Sequence, residues 1–87
     1  MITTDSYWDD VTEIIRQVIW DIKSELENNN KTEITFKDYM PDDIYKVYIN
    51  KDGDVCICKA LSNMLYLNEC SLDVVLDVAE TLNRYFN

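Results

Sequence analysis

Apolar residues recur at spacings of three and four along the first third of the chain. Trp8, Val11, Ile15, Val18, Ile19, Ile22 and Leu26 fall on one side of a helical projection, with Tyr7 and Ile14 on its flank. Thr4, Asp5 and Ser6 offer N-caps, Asp9 stands three residues after Ser6, and Asn28-Asn29-Asn30 ends the pattern. These signals predict a helix over about residues 5–28. Trp20 breaks the pattern: it points away from the stripe, among Asp9, Glu13, Arg16, Ser24 and Glu27. A Trp ringed by charges is a candidate interface anchor; cover by a chain end or by a second copy is the other reading.

The period then changes from 3.6 to 2. Residues 32–37 alternate with Ile34 and Phe36 inward and predict a short strand. Residues 44–59 alternate in two arms joined by Asn50-Lys51-Asp52-Gly53-Asp54, which holds the only glycine of the chain. Gly53 suits the left-handed residue that follows a type I turn in a three-residue hairpin loop. That loop pairs Asn50 with Asp54, Ile49 with Val55 and Val47 with Ile57 on one face. It places Tyr48 opposite Cys56, and Lys46 opposite Cys58, on the other. The strand at 32–37 is expected to pair with the first hairpin arm.

Asp38-Tyr39-Met40-Pro41-Asp42-Asp43 is the longest connection, an acidic loop with an apolar tip. In 60–67, Ala60, Leu61, Met64 and Leu65 fit a short helix, the preferred reading, while Asn63–Leu67 equally fits a fourth strand. Ser71 caps a final helix over about 72–86. Its predicted stripe is Leu72, Val75, Leu76, Ala79, Leu82 and Phe86, with Val74, Val78 and Tyr85 on the flank and Asp73, Asp77, Glu80 and Arg84 opposite. The expected fold is one α+β domain over 1–87 in two layers: an N-terminal helix, a three-stranded antiparallel sheet, a short helix and a C-terminal helix. The helices cover the Ile34, Phe36, Val47, Ile49, Val55, Ile57 face. The face with Thr35, Tyr48, Cys56 and Cys58 stays open for a partner or a second copy.

Charge changes the picture most. Seventeen acidic against eight basic residues give a net −9. Such a chain repels phosphates and anionic membrane surfaces and attracts a basic protein. No apolar run approaches a membrane span, and Met1-Ile2-Thr3-Thr4-Asp5 has neither a basic region nor an apolar signal core, so a cytoplasmic protein is expected. With no histidine, neither a Ser-His nor a Cys-His nucleophile pair can be built, and no enzyme activity is expected.

Several motifs fall short of the chemistry they suggest. The odd count of three cysteines reads as reduced, semi-buried thiols rather than a zinc site, which wants four ligands. Asn50, Asp52 and Asp54 resemble half of a helix-loop-helix calcium loop. Val55 then stands where glycine is needed, and Leu61 where the bidentate glutamate is needed. Ser71-Leu72-Asp73 resembles the phosphopantetheine site of acyl carrier proteins. Cys70 replaces the Asp before the serine, and the predicted strands do not suit that all-helical fold. No metal and no cofactor are expected.

In size, acidity and helix–strands–helix order, the chain resembles the small phage-encoded anti-CRISPR proteins, although no residue motif carries the likeness. That resemblance implies a non-enzymatic inhibitor, made in the bacterial cytoplasm, that offers a DNA-like surface to a basic nucleic-acid-binding protein such as a Cas effector. The physical content is independent of it. Carboxylates at i and i+4 on a helix stand about 6 Å apart along the axis, and Asp9–Glu13 and Asp73–Asp77 have that spacing. The expected partner-binding residues are Asp9, Glu13, Trp20, Asp38, Tyr39, Asp42, Asp43, Tyr48, Asp73 and Asp77. The alternative is a homo-oligomeric structural or adaptor protein that uses the open sheet face. A monomer fits the first reading and a homodimer the second.

Overall fold

The computed structural model describes the backbone of residues 4–36, 44–59 and 64–87, and the side chains of these apart from 4–9, 44, 45 and 59. Helix α1 (Thr4–Asn28) is followed by strands β1 (Glu33–Thr35), β2 (Ile44–Ile49), β3 (Val55–Lys59) and β4 (Met64–Tyr66), a 3-10 turn over Leu67–Glu69, and helix α2 (Leu72–Phe86). The protein is α+β, and its sheet is antiparallel with the order β1-β2-β3-β4.

The hairpin has the expected register: Ile49 opposes Val55, Tyr48 opposes Cys56, Val47 opposes Ile57 and Lys46 opposes Cys58. Gly53 sits at φ 85, in the left-handed region. Its N–H donates to the Asn50 carbonyl at 3.0 Å, the bond that closes a type I turn. Strand β1 pairs with β2 through Ile34 and Val47.

Helix α1 stops in a Schellman motif. Lys31 N–H donates to the Leu26 carbonyl at 2.9 Å and Asn30 N–H to the Glu27 carbonyl at 3.1 Å, with Asn30 left-handed at φ 57. Helix α2 begins where Ser71 Oγ accepts from the Val74 N–H at 3.5 Å.

Two expectations need correction. Among the described residues the sheet has four strands, not the expected three. The short helix expected over 60–67 is absent from its described part, where Met64–Tyr66 form β4 and pair with Cys58, Ile57 and Cys56; residues 60–63 lie outside the described residues. The physical reason is non-local. Pairing with β4 satisfies backbone groups on the outer edge of β3, and Leu67 just after it is fully buried in the core.

The second correction concerns α2. Its buried line is Val75, Val78, Thr81 and Leu82, whereas Leu76, placed in the expected stripe, is 44% exposed. The helix is turned about its axis relative to the stripe that its spacing predicts. Tyr85 meets Phe36 edge-on with centroids 5.9 Å apart. The core joins Ile22 and Leu26 of α1, Ile34, Phe36, Val47, Val55 and Ile57 around the sheet, Leu67, and Val75, Val78 and Leu82 of α2. Both helices therefore lie on one face of the sheet.

The helices also run side by side in the same direction. Val11, Thr12 and Ile15 share a cleft with residues 70–73, and Asp21, Ile22 and Glu25 share another with Ala79, Leu82 and Asn83.

Candidate partner-binding surface

With the sheet and the second helix occupying two sides of each helix, one side of each is left to solvent. On α1 it carries Asp10, Glu13, Gln17 and Asp21, all exposed, and on α2 it carries Asp73, Asp77, Glu80 and, in the last turn, Arg84, also exposed. Two carboxylate rows thus lie on the outer surface of the helical layer. Among the described residues the one ion pair is Lys46–Glu33 at 2.9 Å, on the sheet; Arg84 is the one basic side chain on the α2 face, and it makes no ion pair with the carboxylates there.

Two exposed apolar side chains stand between the first turns of the rows, while Asp21, Glu25 and Asn83 line the interhelical cleft further along. Ile14 stands two turns before Asp21, and Leu76 two turns before Asn83; Asp21 and Asn83 line the same interhelical cleft. Ile14 and Leu76 therefore sit on the facing edges of the two helices, 47% and 44% exposed.

Of the expected partner-binding residues, Glu13, Asp73 and Asp77 meet on this surface. Asp9 belongs to α1, with its side chain outside the described set. Asp38, Tyr39, Asp42 and Asp43 lie outside the described residues. Trp20 is 63% exposed, but it stands on the flank of α1 toward the hairpin turn rather than between the rows. Tyr48 is on the opposite side of the molecule, on the second sheet face. Asp10, Asp21, Glu80, Ile14 and Leu76 are not among the residues expected from sequence. The i, i+3 and i, i+7 spacings point to them, but only the side-by-side helices bring them to one surface.

The second sheet face carries Glu33 and Thr35, Lys46 and Tyr48, Cys56 and Cys58, and Met64 and Tyr66 on successive strands. Lys46 donates to Glu33, which raises its pKa, and lies 5.5 Å from the Tyr48 ring centroid. Desolvation pushes the Tyr48 phenol up to about 12, with the Cys58 thiol beside it adding to the rise. Cys56, expected on an open face, is fully buried, because the larger cross-strand neighbours Tyr48 and Tyr66 flank it. Burial pushes its thiol pKa up, and the Asp54 carboxylate adds to this.

Asn50 is not turned outward as a cation ligand. Its Oδ1 accepts from the N–H groups of Asp52 at 3.0 Å and Asp54 at 2.9 Å. Among the described residues, no group of three or more His, Cys, Asp or Glu side chains converges to hold a metal, and no helix is long and apolar enough to cross a membrane.

Fold and surface together define a small α+β protein with an anionic helical layer and a second sheet face that no described element covers. The chain matches no family model, no curated protein and no solved structure.

Proposed function

We propose that this protein is a non-enzymatic inhibitor of a basic nucleic-acid-binding protein in the bacterial cytoplasm, a Cas effector being the leading candidate. It occupies the partner's nucleic-acid groove with the carboxylate rows of α1 and α2. The observation that carries this reading is the alignment of Asp10, Glu13 and Asp21 beside Asp73, Asp77 and Glu80 on one surface, six carboxylates against the single cation of Arg84, which is not ion-paired to them. Lys and Arg side chains that normally hold phosphates find a comparable spacing of negative charge. Ile14 and Leu76 add apolar contact at the centre, where desolvation strengthens binding.

The test is displacement of a labelled duplex from purified nucleic-acid-binding effectors. Displacement is expected to weaken steeply between about 50 and 200 mM salt, as contacts that replace phosphates do. It is expected to fail for the double variant Asp73→Lys, Asp77→Lys. Tight binding that is indifferent to salt and to this variant would remove the mimicry reading.

The second sheet face favours one other reading, a homo-oligomeric adaptor. Met64 is 41% exposed there beside Tyr66 and Tyr48. Sizing at two ionic strengths separates the readings: a stable dimer lost on Tyr48→Glu supports the adaptor, and a monomer supports the inhibitor.

A further inference from the structure

A cleft of about 250 Å³ opens where α1 passes the hairpin turn, lined by Arg16, Ile19, Trp20 and Lys23 of α1, Gly53, Asp54 and Val55 of the hairpin, and Asn68. Its chemistry is opposite to that of the outer helical surface. Arg16 and Lys23 bring two cations to it against the one carboxylate of Asp54, a local excess of one positive charge in a chain of net −9. Neither cation has an ion pair among the described residues. A methyl group added to Gly53 would stand 3.4 Å from Lys23 Nζ, so the ammonium hangs directly over the turn.

Trp20 supplies one wall and is 63% exposed. An exposed indole gains when an apolar group covers it. The volume is below the range of about 300–1,000 Å³ typical of whole-ligand pockets, and suits one side chain.

We propose that this cleft receives the carboxylate side chain of a protein partner, a Glu or Asp next to an apolar residue. Arg16 and Lys23 bind the anion, the Asn68 amide can donate to it, and the apolar neighbour stacks on Trp20. The guanidinium fork and the ammonium both favour a carboxylate over a neutral amide of the same shape. The Asp54 carboxylate offsets one of the two cations, and the remaining positive charge sets the preference for an anion. The inference is independent of the inhibitor reading, because it concerns a different flank of α1 and the opposite sign of charge.

The test uses the full chain, labelled with nitrogen-15, titrated with acetyl-Leu-Glu-Leu-amide and with its Gln counterpart. The Glu peptide is expected to shift the Trp20 indole N–H and the Gly53 and Asn68 amides. The Gln peptide is expected to bind at least about tenfold more weakly, the margin of one lost charge-assisted contact. Lys23→Gln and Arg16→Gln are each expected to weaken the Glu peptide several-fold with an unchanged amide spectrum elsewhere. Equal binding of the two peptides, or indifference to both substitutions, or no shift at these resonances, would overturn the proposal. Lys23→Gln leaves both carboxylate rows intact, so duplex displacement should persist in it and the two proposals fail separately.

Discussion

Asn50 closes the hairpin onto Asp54 twice. Its backbone N–H donates to the Asp54 carbonyl at 2.9 Å, and its side-chain Oδ1 accepts from the Asp54 N–H, also at 2.9 Å. The same oxygen accepts from Asp52 N–H at 3.0 Å. One side chain thus serves two amides of the loop that sets the register of the β2–β3 pair. Asn50→Ala returns those amides to water and is expected to cost about 1 kcal/mol, a drop of about 4–8 °C in Tm for a domain of this size. Asn50→Asp keeps the acceptor but adds a carboxylate beside Asp52 and Asp54, so its loss should shrink as salt is added. A thermal melt at two ionic strengths checks both.

Among the described residues two backbone positions carry positive φ, Asn30 at 57° and Gly53 at 85°. A side chain with a Cβ costs about 1–2 kcal/mol in the left-handed region, and Asn is among the few that tolerate it. Gly53→Ala and Asn30→Val are each expected to lose at least about 1 kcal/mol, whereas Asn30→Gly should stay within about 0.5 kcal/mol of the parent. Urea midpoints with unchanged slopes are the measurement.

The rotation of α2 makes a paired prediction. Leu67 is fully buried and Leu76 is 44% exposed. Leu67→Ala is expected to cost about 2–5 kcal/mol, which in a small domain can unfold much of the population. Leu76→Ala should stay within about 0.5 kcal/mol in the isolated protein. If Leu76 contributes at the centre of a partner interface, Leu76→Ala weakens displacement while leaving the urea midpoint in place. A large stability loss at Leu76 would mean that α2 presents the other side to the core.

The second sheet face predicts behaviour at high pH and toward thiol reagents. The Tyr48 phenol ionises near 12 in the folded protein against an ordinary 10.0. Between those values the unfolded chain has released the proton and the folded chain still holds it. Stability linked to Tyr48 is therefore full below about pH 10 and is lost as pH rises toward 12. Phenolate absorbance should show a step near pH 12 that Tyr48→Phe removes. Cys56 is buried, and its thiol is pushed upward, whereas Cys58 and Cys70 are half-buried. Alkylation near neutral pH should reach Cys56 last, because the thiolate is the reacting form.

The hairpin is legible in the order of its residues, because its information is local. Alternation from Tyr45 to Ile57 and a single glycine admit one register, and a slip of one residue would turn Val47, Ile49, Val55 and Ile57 to the wrong face. The start of α2 is equally local, set by the Ser71 cap. Residues 60–67 are not, since a run such as Met64-Leu65-Tyr66-Leu67 satisfies a strand or a helix until a neighbouring edge is there to pair with it. The face of α2 is also undecided by its own residues. Leu72, Val74, Val75, Leu76, Val78, Ala79, Leu82, Tyr85 and Phe86 cover so wide an arc that their spacing alone does not select the buried side. The sheet and α1 approach that arc from two directions, and their joint shape puts Val78 and Thr81 inside and leaves Leu76 out. The candidate surface divides in the same way. The carboxylates and their helical spacing belong to the sequence. Their convergence into two adjacent rows comes from tertiary packing, because the parallel placement of α1 and α2 is a property of the shared core and of neither helix alone.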